Sequence, residues 1–129
     1  MEYLYYLANA SLTLRLFEYL HSKPQMPIGF VTVINQIDGW VVKVKMNSPL
    51  NPQQDGDLRA FLNELGIPYF PSMRVNMALS SLDTGQSPIY VMRNYQVVVV
   101  SHGRPDQEEI KAFRQQFIKG LGYCPKHLA

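Results

Sequence analysis

The sequence has a single cysteine, Cys124, in 129 residues. That excludes an internal disulfide framework and is compatible with a reducing compartment. Charge is scarce. Only 17% of residues are Asp, Glu, Lys or Arg, and a net charge of +2 is too small to argue by itself for nucleic acid. No run approaches the ~20 consecutive apolar residues that a membrane helix needs. Nor does the start read as a signal peptide, because Glu2 stands where a basic segment belongs and Asn9, Ser11 and Arg15 interrupt the apolar stretch. Glycines occur singly, with no G-x-G-x-x-G and no phosphate-binding loop. There is no internal repeat, low-complexity tract or linker. These absences lead us to expect one cytoplasmic domain over residues 1–129, with a short tail at 122–129 and no membrane association. An apolar content of 47% is enough to build its core.

Two helices stand out. The last spans about Pro105 to Lys119: Pro105 suits the first helical position, Asp106, Glu108 and Glu109 lie near the amino end, and Ile110, Phe113, Phe117 and Leu121 form one stripe. Gly120 or Gly122 can close it. A middle helix covers about Asp57 to Leu65, with Leu58, Phe61, Leu62 and Leu65 as its stripe, Gly66 as its cap and Pro68 beyond. Asn51-Pro52 is an alternative start that would place Gly56 inside the helix. Strands are expected at Gly29–Asn35 and Trp40–Asn47, joined by the hairpin signal Asp38-Gly39. In the second, Trp40, Val42, Val44 and Met46 alternate with Val41, Lys43, Lys45 and Asn47. MRVNMALS (Met73–Ser80) also alternates. IYVMR and QVVVVS read as two short strands joined near Asn94, and Val97–Val100, apolar on both faces, suggest a central strand.

With a helical first segment the order is α-β-β-α-β-β-β-α. This is an α+β domain with a mainly antiparallel five-stranded sheet and three helices. The order resembles the roadblock or longin-like (profilin-like) folds, and type III secretion chaperone-like domains share the inventory in a different order. The resemblance rests on element order alone, and it implies partner binding and dimerisation only by analogy.

The first segment, Glu2 to Leu20, carries too many apolar residues for a helix with one buried face. On a helical wheel Tyr3, Tyr6, Leu7, Ala10, Leu14 and Phe17 gather on one side. Tyr5, Leu12, Leu16, Tyr19 and Leu20 gather nearly opposite. The second stripe packs inside the domain, or forms an interface with a partner or a second copy, or the segment is not one helix and breaks near Asn9-Ala10-Ser11.

Chemistry is thin. His21 sits at a helix end, where a cation suits the dipole. His102 lies in SHGRPD and is expected in a loop. Ser101 and His102 do not make a catalytic pair, since neighbours on a strand face opposite ways. Cys124 and His127 supply at most half of a zinc site, and Asp55 and Asp57 fit helix capping. No nucleophile stands beside a base, and no cofactor is implied. The charged residues of the expected strands are all basic: Lys43, Lys45, Arg74 and Arg93. If the first three share a sheet face, they form a dock for an acidic peptide, or simply a solvated face or edge lysines that deter pairing. Few cations and no interleaved aromatics argue against nucleic acid.

The expectation is a non-enzymatic protein-protein interaction module, such as an adaptor, assembly factor or chaperone-like protein, acting as a homodimer. Its contact residues would be Tyr5, Leu12, Leu16 and Tyr19, with Lys43, Lys45 and Arg74. The alternative is a ligand-binding or catalytic domain with a pocket between helices and sheet.

Overall fold

A computed structural model describes residues 2–36, 39–104, 108, 110, 111 and 115. The elements are β1 (Glu2–Leu7), α1 (Ala10–His21), β2 (Ile28–Gln36), β3 (Gly39–Met46), α2 (Pro52–Leu65), β4 (Gly66–Pro68), α3 (Met73–Asp83), α4 (Pro88–Tyr95) and β5 (Val98–Gly103). The sheet order is β4-β1-β3-β2-β5, antiparallel throughout. The α+β class and the five antiparallel strands are as expected, but four helices are delimited among the described residues instead of three. The order β-α-β-β-α-β-α-α-β also replaces the one on which the longin-like resemblance rested. Its first six elements follow the β-α-β-β-α-β (ferredoxin-like) motif.

The opening segment divides at Asn9. EYLYYL alternates as a strand, with Tyr3, Tyr5 and Leu7 buried on one face. Asn9 then caps α1, its side chain accepting from the Leu12 N–H at 2.9 Å. The two stripes on the wheel were therefore a strand and a helix superimposed. A capping box between Asn51 and Gln54, with Pro52 in the first turn, starts α2 earlier than Asp57 and places Gly56 inside it. The helix ends at Gly66, whose backbone is extended, and β4 begins there. Met73–Ser80 is helical. Ser72 caps α3, and Val75, Ala78, Leu79 and Leu82 are its buried side chains. IYVMR is likewise helical, inside α4, started by Ser87-Pro88 and closed by Gln96 in the left-handed region at φ 54°.

The sheet is covered on both faces. Tyr3, Tyr5 and Leu7, with Val31, Val33, Trp40, Val42, Val44 and Met46, pack under α1 and α2. Leu4, Tyr6, Ile34, Val41 and Val99 pack with the buried residues of α3 and Val91 of α4. β5 lies at an edge and not in the centre; Val98 is exposed. Of the expected last helix, residues 108, 110, 111 and 115 are helical, and Ile110 is buried with the α1–α2 core. The rest of that helix, the turn residue Asp38, and Cys124 and His127 lie outside the described residues.

Candidate functional site

The cross-strand register places Leu4, Lys43, Thr32 and His102 in one row across β1, β3, β2 and β5, on the face that α3 and α4 cover. One row further out lie Glu2, Lys45 and Phe30. Lys43 is only 7% exposed. Its ammonium is paired with the Asp83 carboxylate and lies 3.3 Å from Glu2. Asp83 is the last residue of α3, where the helix dipole disfavours an anion, so Lys43 offsets two negative ends at once. His102 is on β5 and not in a loop. Its Nδ1 lies 2.7 Å from Thr32 Oγ1, and its ring stacks on Phe30 at 5.2 Å. Burial pushes the imidazole pKa down. Lys43 and Lys45 act the same way, opposed by Asp83 and a hydrogen bond to the Leu82 backbone. Ser101 and His102 do face opposite ways, pairing with Val33 and Thr32.

A hydroxyl within hydrogen-bond reach of an imidazole has the geometry of an activated nucleophile. Thr32, however, is 2% exposed, so no substrate reaches it in this conformation. The cluster ties the end of α3 to four strands. Among the described residues no group of three or more His, Cys, Asp or Glu could hold a metal ion.

The structure does not bring the expected contact residues together on a surface. Tyr5 and Leu16 are buried, at 5% and 0% exposure, while Leu12 and Tyr19 pack half-buried against the same core. The tyrosine hydroxyls are used internally. Tyr5 donates to Asn63 at 2.8 Å, and Tyr3 donates to Asp55 at 2.5 Å. Arg59 pairs with Asp55 at 3.1 Å and lies over the Tyr3 ring. Burial and the bond to Asp55 push the Tyr3 phenol up to about 12, and the same bond, with Arg59, holds Asp55 low. Asp55 thus binds a tyrosine and an arginine, while Asn51 supplies the cap. Tyr19 stacks on Phe61 of α2 at 3.9 Å. The basic face is not assembled either. Lys43 is neutralised, Lys45 is half-buried beside it, and Arg74 and Arg93 are exposed on α3 and α4. Glu2 also puts an acid on a strand.

The open apolar surface is elsewhere. Phe70 is 89% exposed, Met73 79%, Ile67 63% and Met77 47%. Ile67 pairs with Tyr6 across β4 and β1, so it points to the α3 side of the sheet. Met73 and Met77 lie one turn apart on α3. Phe70 stands between Pro68 and Pro71 on a short connector. That connector is held by Tyr69, which stacks on Tyr6 at 5.5 Å and donates its N–H to the Leu4 carbonyl at 3.0 Å. The sequence reading missed this surface because it took Met73–Ser80 as an alternating strand. The available signal was Ser72, a helix cap, followed by Val75, Ala78, Leu79 and Leu82 at helical spacing. Among the described residues no helix is long and apolar enough to cross a membrane. In comparisons with protein families, curated proteins and solved structures, nothing matches this chain.

Proposed function

We propose that this chain is a protein-protein interaction module, of the adaptor, assembly-factor or chaperone-like kind, and that it self-associates through the surface from Ile67 to Met77. The supporting observation is the exposure of Ile67, Phe70, Met73 and Met77 along one short stretch. Summed over the four side chains this is on the order of 400–500 Å² of apolar surface, within the range of the largest patch on a typical monomer, which is often functional. Two features make it suitable for binding. The prolines around Phe70 and the anchored Tyr69 limit the freedom that ordering would cost. The adjoining edge, β4, is three residues long and contains Pro68, so it does not invite open-ended strand addition.

A twofold contact that buries Phe70 and Met73 from each copy engages four large side chains. At ~1.5–3 kcal/mol each they contribute roughly 6–12 kcal/mol before association costs of ~4–15 kcal/mol. That balance suits a weak, reversible pair. Sedimentation velocity over a concentration series tests it. The wild-type chain should shift toward a larger species as concentration rises, and Phe70→Glu should stay monomeric with an unchanged unfolding midpoint. A wild type that sediments as a monomer throughout overturns the self-association.

A further inference from the structure

The loop from Ser22 to Pro27 joins α1 to β2, and one side of it is hollowed into a depression of about 260 Å³. Leu20, Met26 and Ile28 give it apolar walls, and its nitrogen-bearing side chains are His21, Lys23, Asn47 and Arg104. Among the described residues no carboxylate lines it. These groups come from three parts of the chain: the end of α1, the residue after β3 and the residue after β5.

Among the described residues these cations enter no ion pair. The ion pairs among the described residues join Lys43 to Glu2 and Asp83, and Arg59 to Asp55. Lys23 lies over the Tyr19 ring at 5.4 Å, and Arg104 is exposed. The last carbonyls of α1 are already satisfied without side-chain cations. The Ser22 N–H donates to Glu18 and Tyr19, and the Lys23 N–H to Leu20, each at 3.1 Å. Among the described residues, Asp57 lines the neighbouring cleft, which Lys23 also lines, and not the depression.

Asn47 is placed by the backbone. Its N–H donates to the Pro27 carbonyl at 2.7 Å, and its side-chain oxygen lies where a side chain on residue 29 would be. Gly29 is the extra residue of a bulge between Ile28 and Phe30. Bulges of this kind re-aim neighbouring side chains at binding sites. With its oxygen turned to Gly29, the amide keeps its NH₂ for a ligand.

We propose that this depression binds a small organic anion, an apolar body carrying a phosphate or carboxylate. Arg104 and Lys23 take the charge, Asn47 donates a hydrogen bond, and Leu20, Met26 and Ile28 receive the apolar body. The test is an amide NMR titration of the full chain with phenyl phosphate and benzoate, beside phenol and inorganic phosphate as controls. At least one organic anion should bind roughly tenfold or more tighter than both controls, as charge-assisted contacts added to apolar burial imply. Shifts should centre on His21, Ile28 and Asn47. Lys23→Glu/Arg104→Glu, both at exposed positions, should weaken that affinity by about tenfold or more with the unfolding midpoint unchanged. Equal binding of phenol, or of inorganic phosphate (an adventitious ion only), overturns the proposal. So does an affinity that survives the double charge reversal, or shifts centred on other residues.

Discussion

Replacing Asp83 by alanine separates a structural ion pair from a solvated surface charge. The Lys43 side chain is 9% exposed and that of Asp83 19%. Breaking a fully buried pair costs ~3–5 kcal/mol, because it strands a charge away from water. Here Glu2 remains 3.3 Å from the ammonium, but its side chain is half-exposed and can hold only part of the interaction. We therefore expect Asp83→Ala to cost about 2–3 kcal/mol. Lys43→Met removes the cation, keeps an apolar stem of similar volume, and leaves Asp83 at a helix end that disfavours it by ~0.3–1 kcal/mol. Its cost should be about 1 kcal/mol. In the Lys43→Met background, Asp83→Ala should then cost less than ~0.5 kcal/mol, giving a coupling of about 2 kcal/mol. Urea unfolding followed by fluorescence of the buried Trp40 reads all four proteins, and the single Asp83→Ala change should lower the midpoint by about 1–2 M. Equal costs of Asp83→Ala in both backgrounds would refute the buried pair.

Three further outcomes follow from the geometry. Gly66→Ala should destabilise by ~2 kcal/mol or more in the same urea assay and weaken β4, because a Cβ there meets the Tyr6 carbonyl and the Leu7 side chain; an unchanged midpoint would contradict that close approach. The raised Tyr3 pKa makes the folded state hold a proton that the unfolded chain loses above pH 10, so stability should fall between pH 10 and about 12, and Tyr3→Phe should flatten that limb. His102 has the opposite chemistry: its lowered pKa means the unfolded chain binds more protons on acidification. Stability should therefore decline as pH falls below 6.5 toward the folded pKa, and the decline should shrink in His102→Asn. Thermal unfolding across a pH series reads both limbs.

The sequence made the β2–β3 hairpin legible because Trp40, Val42, Val44 and Met46 alternate without exception and the turn chemistry agrees. It misled in short segments, where period-two and helical patterns coincide over a few residues. Met73, Val75, Met77 and Leu79 alternate, yet Val75, Ala78, Leu79 and Leu82 satisfy a helix equally well. The cap decided the outcome. Asn9, Ser72 and Ser87-Pro88 were start signals of the same kind as Asn51-Pro52. The Lys43 site was half visible: the lysine's strand phase was clear, but its partner Asp83 is 40 residues away, at the end of a helix read as a strand. An acid at a helix carboxyl end, against the dipole, was the one local hint of a cation nearby. The exposure of Phe70 depends on what packs around it, which no local pattern carries.

Amide hydrogen exchange at low and high protein concentration addresses the self-association surface most directly. Protection should rise with concentration at amides from Ile67 to Met77 and stay constant along the β5 edge and the Ser22–Pro27 loop. Protection that is independent of concentration, or that rises only at other surfaces, would contradict the proposed role of this patch.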